Sequence, residues 1–191
     1  MWKSIINSVA MVAIMTVLTG IVYPMAMTGL AQALFPSQAN GSIIRYNGQS
    51  VGSKLIGQNF TSDKYFHGRP SSAGSDGYEA LSSSGSNLGP TNAKLKQSVQ
   101  ERLDKIIAEN ALDSGKTVPG DLVLASASGL DPHITPDAAY LQLKRVAAAR
   151  GLQQKEVERL VESHIEGRQF GLLGEQCVNV LELNLALDGL K

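Results

Sequence analysis

SIINSVAMVAIMTVLTGIVYPMAM, residues 4–27, decides how this chain is organised. It lies inside a longer run, Ser4 to Ile44, that contains no Asp, Glu, Lys or Arg. Crossing a hydrocarbon core takes roughly 20 predominantly apolar residues. Ile5 to about Met27 supplies them, with Asn7, Ser8, Thr16, Thr19 and Gly20 as mild interruptions, and the apolar stretch can be extended to Leu34. Ile5, Ile6, Val9, Val12, Ile14, Val17, Leu18, Ile21 and Val22 each favour insertion by roughly 0.3–0.6 kcal/mol near the bilayer centre, which outweighs the few hydroxyls. A cleaved secretory signal is the rival reading, since Lys3 precedes the run and Ala31-Gln32-Ala33 mimics a cleavage site. A signal core runs only about 7–15 apolar residues, so length favours an anchor. Positive charge sits before the helix, and none follows until Arg45, which predicts a cytoplasmic N-terminus and an extracytoplasmic remainder.

The division is therefore residues 1–35, carrying one transmembrane helix, and residues 36–191. The second part has roughly 155 residues, enough for one domain that buries about two-thirds of its unfolded surface. Lys plus Arg and Asp plus Glu are 17 each, so no nucleic-acid footprint or acidic tail is present. Cys177 is the single cysteine, which forbids an internal disulfide and argues against thiolate zinc sites or a redox pair.

Local signals predict the elements of an α/β (α+β) domain. Asn47-Gly48 lies between Ser42–Tyr46 and Gln49–Ile56, and this pair suits a type I′ hairpin because both positions need positive φ. Phe60 to Pro90 is rich in Gly and Ser and reads as loop, with a short strand near Tyr65-Phe66. Leu95, Val99, Leu103 and Ile106 recur at helical spacing. A second helix starts at Thr135 as N-cap, with Pro136 and Asp137 in its first turn, and stops at Gly151. A third places Val157, Leu160, Val161 and Ile165 on one face and stops at Gly167. The last segment reads as a strand at Cys177–Asn179 leading into a helix, although its alternating leucines also fit a strand.

Catalytic signals are sparse. His67, His133 and His164 have no second His or Cys three or four positions away, so no metal site is expected. Ser114-Gly115-Lys116-Thr117 resembles the end of a phosphate loop but lacks the leading Gly and the preceding strand, so it reads as a loop. The run Ser82-Ser83-Ser84-Gly85-Ser86 is a candidate nucleotide contact, because backbone amides in such loops can form anion nests, against the plainer reading of a solvated loop. Lys64 and Arg69 are candidates for an acidic partner or simple surface charge. No nucleophile and base stand at interpretable spacing, so no catalytic residue is assigned. In the apolar helix, Gly20 and Gly29 permit close helix approach, and Pro24 is expected to kink the helix or mark its end.

Several strings resemble one family. They are GIVYP at 20–24, LIGQNF at 55–60, YFHGRPS at 65–71, GSNLGPTN at 85–92, LVLASASGLDPHITPDAA at 122–139, RVAAARGL at 145–152 and VNVLELNLALD at 178–188. Together they are similar to the C subunit of the Kdp high-affinity potassium-transporting ATPase over nearly the whole chain. The resemblance implies an accessory subunit of a bacterial inner-membrane pump, single-pass, with a periplasmic domain. Its implied partners are a potassium-channel-like subunit (KdpA), a P-type ATPase subunit (KdpB), a small single-helix subunit (KdpF) and the lipid bilayer. It implies no tightly bound cofactor. Family descriptions give a catalytic chaperone that raises the ATP affinity of the P-type subunit in a transient ternary complex, with ATP contacted near Ser82 to Ser86. The alternative is a structural or gating cap on the external mouth of the channel-like subunit. This chain departs from many relatives at Gln176, where they carry Pro, and contacts in the Ala73 to Ser83 stretch are not carried over. An anchored extracytoplasmic enzyme remains as a third reading of the residues alone.

Overall fold

The computed structural model describes residues 1–113 and 115–190, so Ser114 of the Ser114–Thr117 loop lies outside the described residues. The chain divides into two compact units, Met1–Ile44 and Arg45–Lys191.

In the first unit, Trp2–Leu34 is one helix long and apolar enough to cross a membrane. Its 33 residues span about 50 Å at ~1.5 Å per residue, well beyond a ~30 Å hydrocarbon core. It is built from α1 (Trp2–Val17), a π-turn (Leu18–Val22) and α2 (Tyr23–Leu34). Pro24 neither ends the helix nor stands in isolation. A proline ring clashes with the carbonyl four residues back, here that of Gly20. The chain absorbs this by widening one turn, and the Tyr23 amide reaches Leu18 O. Two hydroxyls are satisfied within the helix, Ser8 Oγ donating to Ser4 O at 2.9 Å and Thr19 Oγ1 to Met15 O at 2.7 Å. In lipid, where water offers no partner, this removes their cost. The helix ends beyond Met27, at Leu34, because Phe35 precedes Pro36 and adopts φ −136°. A short turn, α3 (Pro36–Ala39), follows, and Asn40 and Gln32 exchange side-chain amide bonds of 3.1 and 3.3 Å across it.

The hairpin predicted at Asn47-Gly48 is present as β1 (Ile43–Tyr46) and β2 (Gln49–Ser53). Asn47 has φ 49° and Gly48 φ 79°, as a type I′ turn requires. No helix or strand occurs among the described residues from Lys54 to Asn92. The short strand expected near Tyr65-Phe66 does not form, because side chains rather than a neighbouring strand take its backbone groups. Helix α4 (Ala93–Glu109) starts where the Asn92 side chain accepts from the Lys94 amide at 2.8 Å. A single turn, α5 (Gly120–Val123), precedes β3 (His133–Ile134).

Helix α6 (Pro136–Arg150) has the caps read from sequence: Thr135 Oγ1 accepts from the Ala138 amide, and Gly151 is left-handed at φ 67°. Helix α7 (Gln154–Ser163) is shorter than its apolar spacing predicted. The Leu160 carbonyl is taken by Ser163 Oγ and His164 Nδ1, both at 2.8 Å, and the chain turns out of the helix. Ile165 therefore lies on β4 (Ile165–Glu166), paired with Val178, and not on a helix face. Strand β5 (Cys177–Asn179) leads into α8 (Val180–Asp188), whose first turn is capped by Asn179 accepting from the Glu182 amide at 3.1 Å.

The fold is thus α+β, with an antiparallel three-stranded sheet ordered β3-β5-β4. Residues on a strand alternate between its faces. Ile134, Ile165 and Val178 are in register and turn inwards. They join Ala138, Leu143 and Val146 of α6, Val157 and Val161 of α7, and Leu183 and Leu187 of α8 in one core. His133, Glu166 and Cys177 are left on the opposite face.

Candidate functional site

The segment Tyr65–Ser71 is irregular backbone bound by side chains from two helices. Phe66 is fully buried, which would strand its amide and carbonyl. Asn184 of α8 takes both: its Oδ1 accepts from Phe66 N at 2.9 Å and its Nδ2 donates to Phe66 O at 3.0 Å. Gln142 of α6 does the same for the next residue, with Oε1 accepting from His67 N at 2.8 Å and Nε2 donating to His67 O at 3.1 Å. Two primary amides imitate the edge of a neighbouring strand.

Arg145 locks this arrangement from beneath. Its side chain is 5% exposed and donates to Gln142 Oε1 (2.7 Å), Asn110 Oδ1 (3.1 Å), Asp63 O (2.8 Å) and Tyr65 O (3.1 Å). Burial pushes its guanidinium below the usual value, while Glu109 and Asp63 push it back up. On the surface side, Arg150 pairs with Asp188 at 2.6 Å and lies 4.9 Å from the centre of the Tyr65 ring. Charge, hydrogen bonding and cation–π attraction thus all act on residues 63–67.

Beyond His67, a cavity of about 260 Å³ opens between this segment, residues 76–78 and helix α4. His67, Arg69, Tyr78, Arg102, Lys105 and Glu109 are among its polar lining. Most of these groups are already partnered. Arg69 bonds Asp131 at 3.0 Å, Arg102 donates to Val123 O at 3.0 Å, and Lys105 and His67 Nδ1 lie 3.6 and 3.7 Å from Glu109. The exception is Arg69 Nε, a buried donor without a partner among the described residues. Burial first, and the Arg145 charge second, hold His67 below its usual pKa, favouring the neutral ring. Burial and the Asp131 charge push the Tyr78 phenol up to about 12, and its hydroxyl donates to Arg69 O. Ser71 lines the cavity but is no activated nucleophile. Its Oγ donates to Gly129 O at 2.6 Å and accepts from the Ala73 and Tyr78 amides, which uses a hydroxyl's full capacity.

The serine-rich run, residues 82–86, does not line this cavity. Ser83 Oγ donates to Ser128 O and Ser84 Oγ to Ser72 O, both at 2.9 Å, while Ser82 and Ser86 are exposed. Gly85 sits so close to Ala127 that a Cβ would come within 2.9 Å of its carbonyl oxygen. Two of its hydroxyls therefore hold loop to loop. Lys64 is exposed, with its carbonyl taken by Arg150 Nε at 2.7 Å. In the first unit, a Cβ at Gly20 or Gly29 would meet nothing within 4 Å, so both keep their room for a neighbouring helix. At ~100° per residue they fall on roughly opposite sides of the helix and do not form one stripe.

Sequence spacing missed one cluster. His133, Glu166 and Cys177 offer ligand atoms that all lie within 4.8 Å of one another, each residue half-buried. Their proximity depends on strand register, and no local motif announces it.

These features define a class: a chain with one membrane-compatible N-terminal helix and an α+β domain whose central loop is bound by side-chain amides. The KdpC family model, described as "K+-transporting ATPase, c chain", matches residues 5–189. The chain is 59% identical over 168 residues to a potassium-transporting ATPase KdpC subunit of Nitratidesulfovibrio vulgaris, covering 88% of this chain and 85% of the relative. It is 52% identical over 189 residues to that of Koribacter versatilis, covering 99% and 96%, and 53% identical over 190 residues to that of Mycobacterium tuberculosis, covering 100% of both. The chain belongs to the KdpC family.

Proposed function

We propose that this chain is a non-catalytic accessory subunit of an ATP-driven potassium import complex, held in the bacterial inner membrane by its single helix. The observation that carries this reading is the end-to-end likeness to potassium-transporting ATPase KdpC subunits. Its partners are then a channel-like subunit (KdpA), a P-type ATPase subunit (KdpB) and a small single-helix subunit (KdpF). The charge before the helix, the amino terminus plus Lys3, supports a cytoplasmic N-terminus and a periplasmic domain.

That topology governs the mechanism. A periplasmic domain cannot touch cytoplasmic ATP, so any rise in ATP affinity produced by this subunit is a coupling between separate sites. The catalytic-chaperone description then becomes a statement about linkage, and the subunit acts as a structural and gating cap on the channel-like partner. The commitment of Ser83 and Ser84 hydroxyls to protein carbonyls also favours a structural role for the 82–86 loop over direct nucleotide contact.

Labelling from outside the cell tests the reading. Leu81 is 97% exposed, beside the loop in question. A Leu81→Cys, Cys177→Ser chain in intact cells is expected to react with a membrane-impermeant maleimide once the outer envelope is opened. Reaction only after permeabilising the inner membrane would place the loop with ATP and overturn the coupling mechanism.

A further inference from the structure

We propose that His133, Glu166 and Cys177 form a binding site for a thiophilic divalent cation of the zinc type. Three antiparallel strands bring them together. Glu166 lies opposite Cys177 across β4 and β5, and His133 opposite Asn179 across β3 and β5, so with the core-facing residues turned the other way all three share the outer face. One imidazole nitrogen, one sulfur and one carboxylate oxygen lie mutually within 4.8 Å. This donor set suits zinc, with three protein ligands and a fourth position for water, and it is unlike the all-oxygen set preferred by hard cations such as potassium. Bonds of about 2.0–2.3 Å put tetrahedral ligand atoms roughly 3.5 Å apart. Glu166, the longest of the three side chains, can supply most of that closure by changing rotamer.

The surroundings hold each ligand in place, as outer groups do in metal sites. Asp131 Oδ1 lies 3.6 Å from His133 Nδ1 and favours the ring proton there, while the Asn179 amide nitrogen, 3.5 Å from Nε2, can only donate to that nitrogen's lone pair, so an ion on Nε2 takes the place of this long contact. Asn179 is itself fixed by donating to Lys54 O at 2.8 Å. Lys54 Nζ bonds Glu166 Oε1 at 2.9 Å and Glu182 Oε2 at 3.0 Å, leaving the second oxygen of Glu166 for an ion. Lys54 repels a cation, and Arg69 offsets Asp131. The three carboxylates Glu166, Glu182 and Asp131 nevertheless outnumber these two cations, and binding adds a thiolate. A cysteine thiol, with an ordinary pKa of about 8.5, enters the reaction protonated at neutral pH. Each ion that binds forms one metal–sulfur bond and expels one proton to solvent.

The test uses the tag-free full chain in detergent micelles, with Co²⁺ as the spectroscopic probe and Zn²⁺ as competitor. The expected result is one Co²⁺ per chain, tetrahedral visible bands and a near-ultraviolet thiolate-to-cobalt band, all bleached by Zn²⁺ and untouched by K⁺. Cys177→Ser is expected to abolish the charge-transfer band, and His133→Gln and Glu166→Gln to weaken Co²⁺ binding at least about tenfold. Metal-free unfolding midpoints show whether each variant is folded. Independently of any variant, Zn²⁺ is expected to slow maleimide labelling of Cys177 in the wild-type chain at least about tenfold, reversed by a chelator. Absence of the charge-transfer band in the wild-type chain, or unchanged Cys177 labelling with Zn²⁺, would overturn the site.

Discussion

Replacing Asn184 tests whether side-chain amides hold the Tyr65–Ser71 segment in place of a sheet edge. Asn184 is 1% exposed, and its two bonds, at 2.9 and 3.0 Å, take both backbone groups of the fully buried Phe66. Asn184→Leu keeps the number and branching of the side-chain heavy atoms and removes both partners. A buried group left unsatisfied costs about 1–3 kcal/mol, so two cost about 2–6. The added apolar surface returns part of that, roughly 1–2 kcal/mol. At the middle of these ranges the net loss is about 2–3 kcal/mol, which multiplies local opening by roughly 30 to 150. Hydrogen exchange at residues 65–67, with the unfolding midpoint of the full chain in micelles, measures it.

Asn184→Asp separates the donor from the acceptor. An ionised carboxylate still accepts from Phe66 N but repels Phe66 O, whereas a protonated one restores the missing donor. Burial raises the folded pKa above the unfolded value of about 3.9. Stability is therefore recovered at low pH and lost as pH rises through the raised pKa. Unchanged exchange at Phe66 in Asn184→Leu, or an Asp variant insensitive to pH, would refute the strand-edge argument.

Three further perturbations follow from other parts of the structure. Gly129→Ala meets a left-handed φ of 68° and puts a Cβ within 2.5 Å of Ser84 O, so a loss of more than about 1–2 kcal/mol is expected in the unfolding midpoint. His67 has its folded pKa held below the unfolded value of about 6.5, so between the two values only the unfolded chain binds the proton. Stability should then fall as pH drops below about 6.5, and His67→Asn should flatten that slope in a pH series of thermal melts. Arg150→Lys keeps the charge but gives up the guanidinium's paired donors to Asp188 and Leu187 O and its stacking on Tyr65, so a loss of about 1–2 kcal/mol is expected, with faster exchange at residues 64–65.

Features signalled by neighbours in sequence were legible without a structure. Thr135, Pro136 and Gly151 mark both ends of α6 because caps act within a few residues, and Asn47-Gly48 does the same for the hairpin. The apolar helix was equally plain, although its continuation through Pro24 depended on a π-turn that no propensity announces. What stayed hidden depends on distant partners. Asn184 meets Phe66 across 118 positions and Gln142 meets His67 across 75, so the Gly- and Ser-rich stretch gave no sign of how firmly it is held. Ile165 was misplaced for a related reason: its helical spacing was genuine, but side chains capture Leu160 O first and Val178 then pairs with it. His133, Glu166 and Cys177 meet only through strand register. Polar residues falling among the apolar positions of a helix, Gln142 and Arg145 in α6 and Asn184 in α8, were the available hint, since such groups need partners when buried.

Affinity purification of the full chain from detergent-solubilised membranes of its host is the most direct test that it belongs to a potassium pump. A P-type ATPase subunit and a channel-like subunit are expected to co-elute in constant proportion, the eluate to hydrolyse ATP faster with potassium, and a chain lacking residues 5–34 to retrieve neither. A chain that elutes alone, while potassium-stimulated hydrolysis persists at full rate in membranes lacking it, would contradict the account.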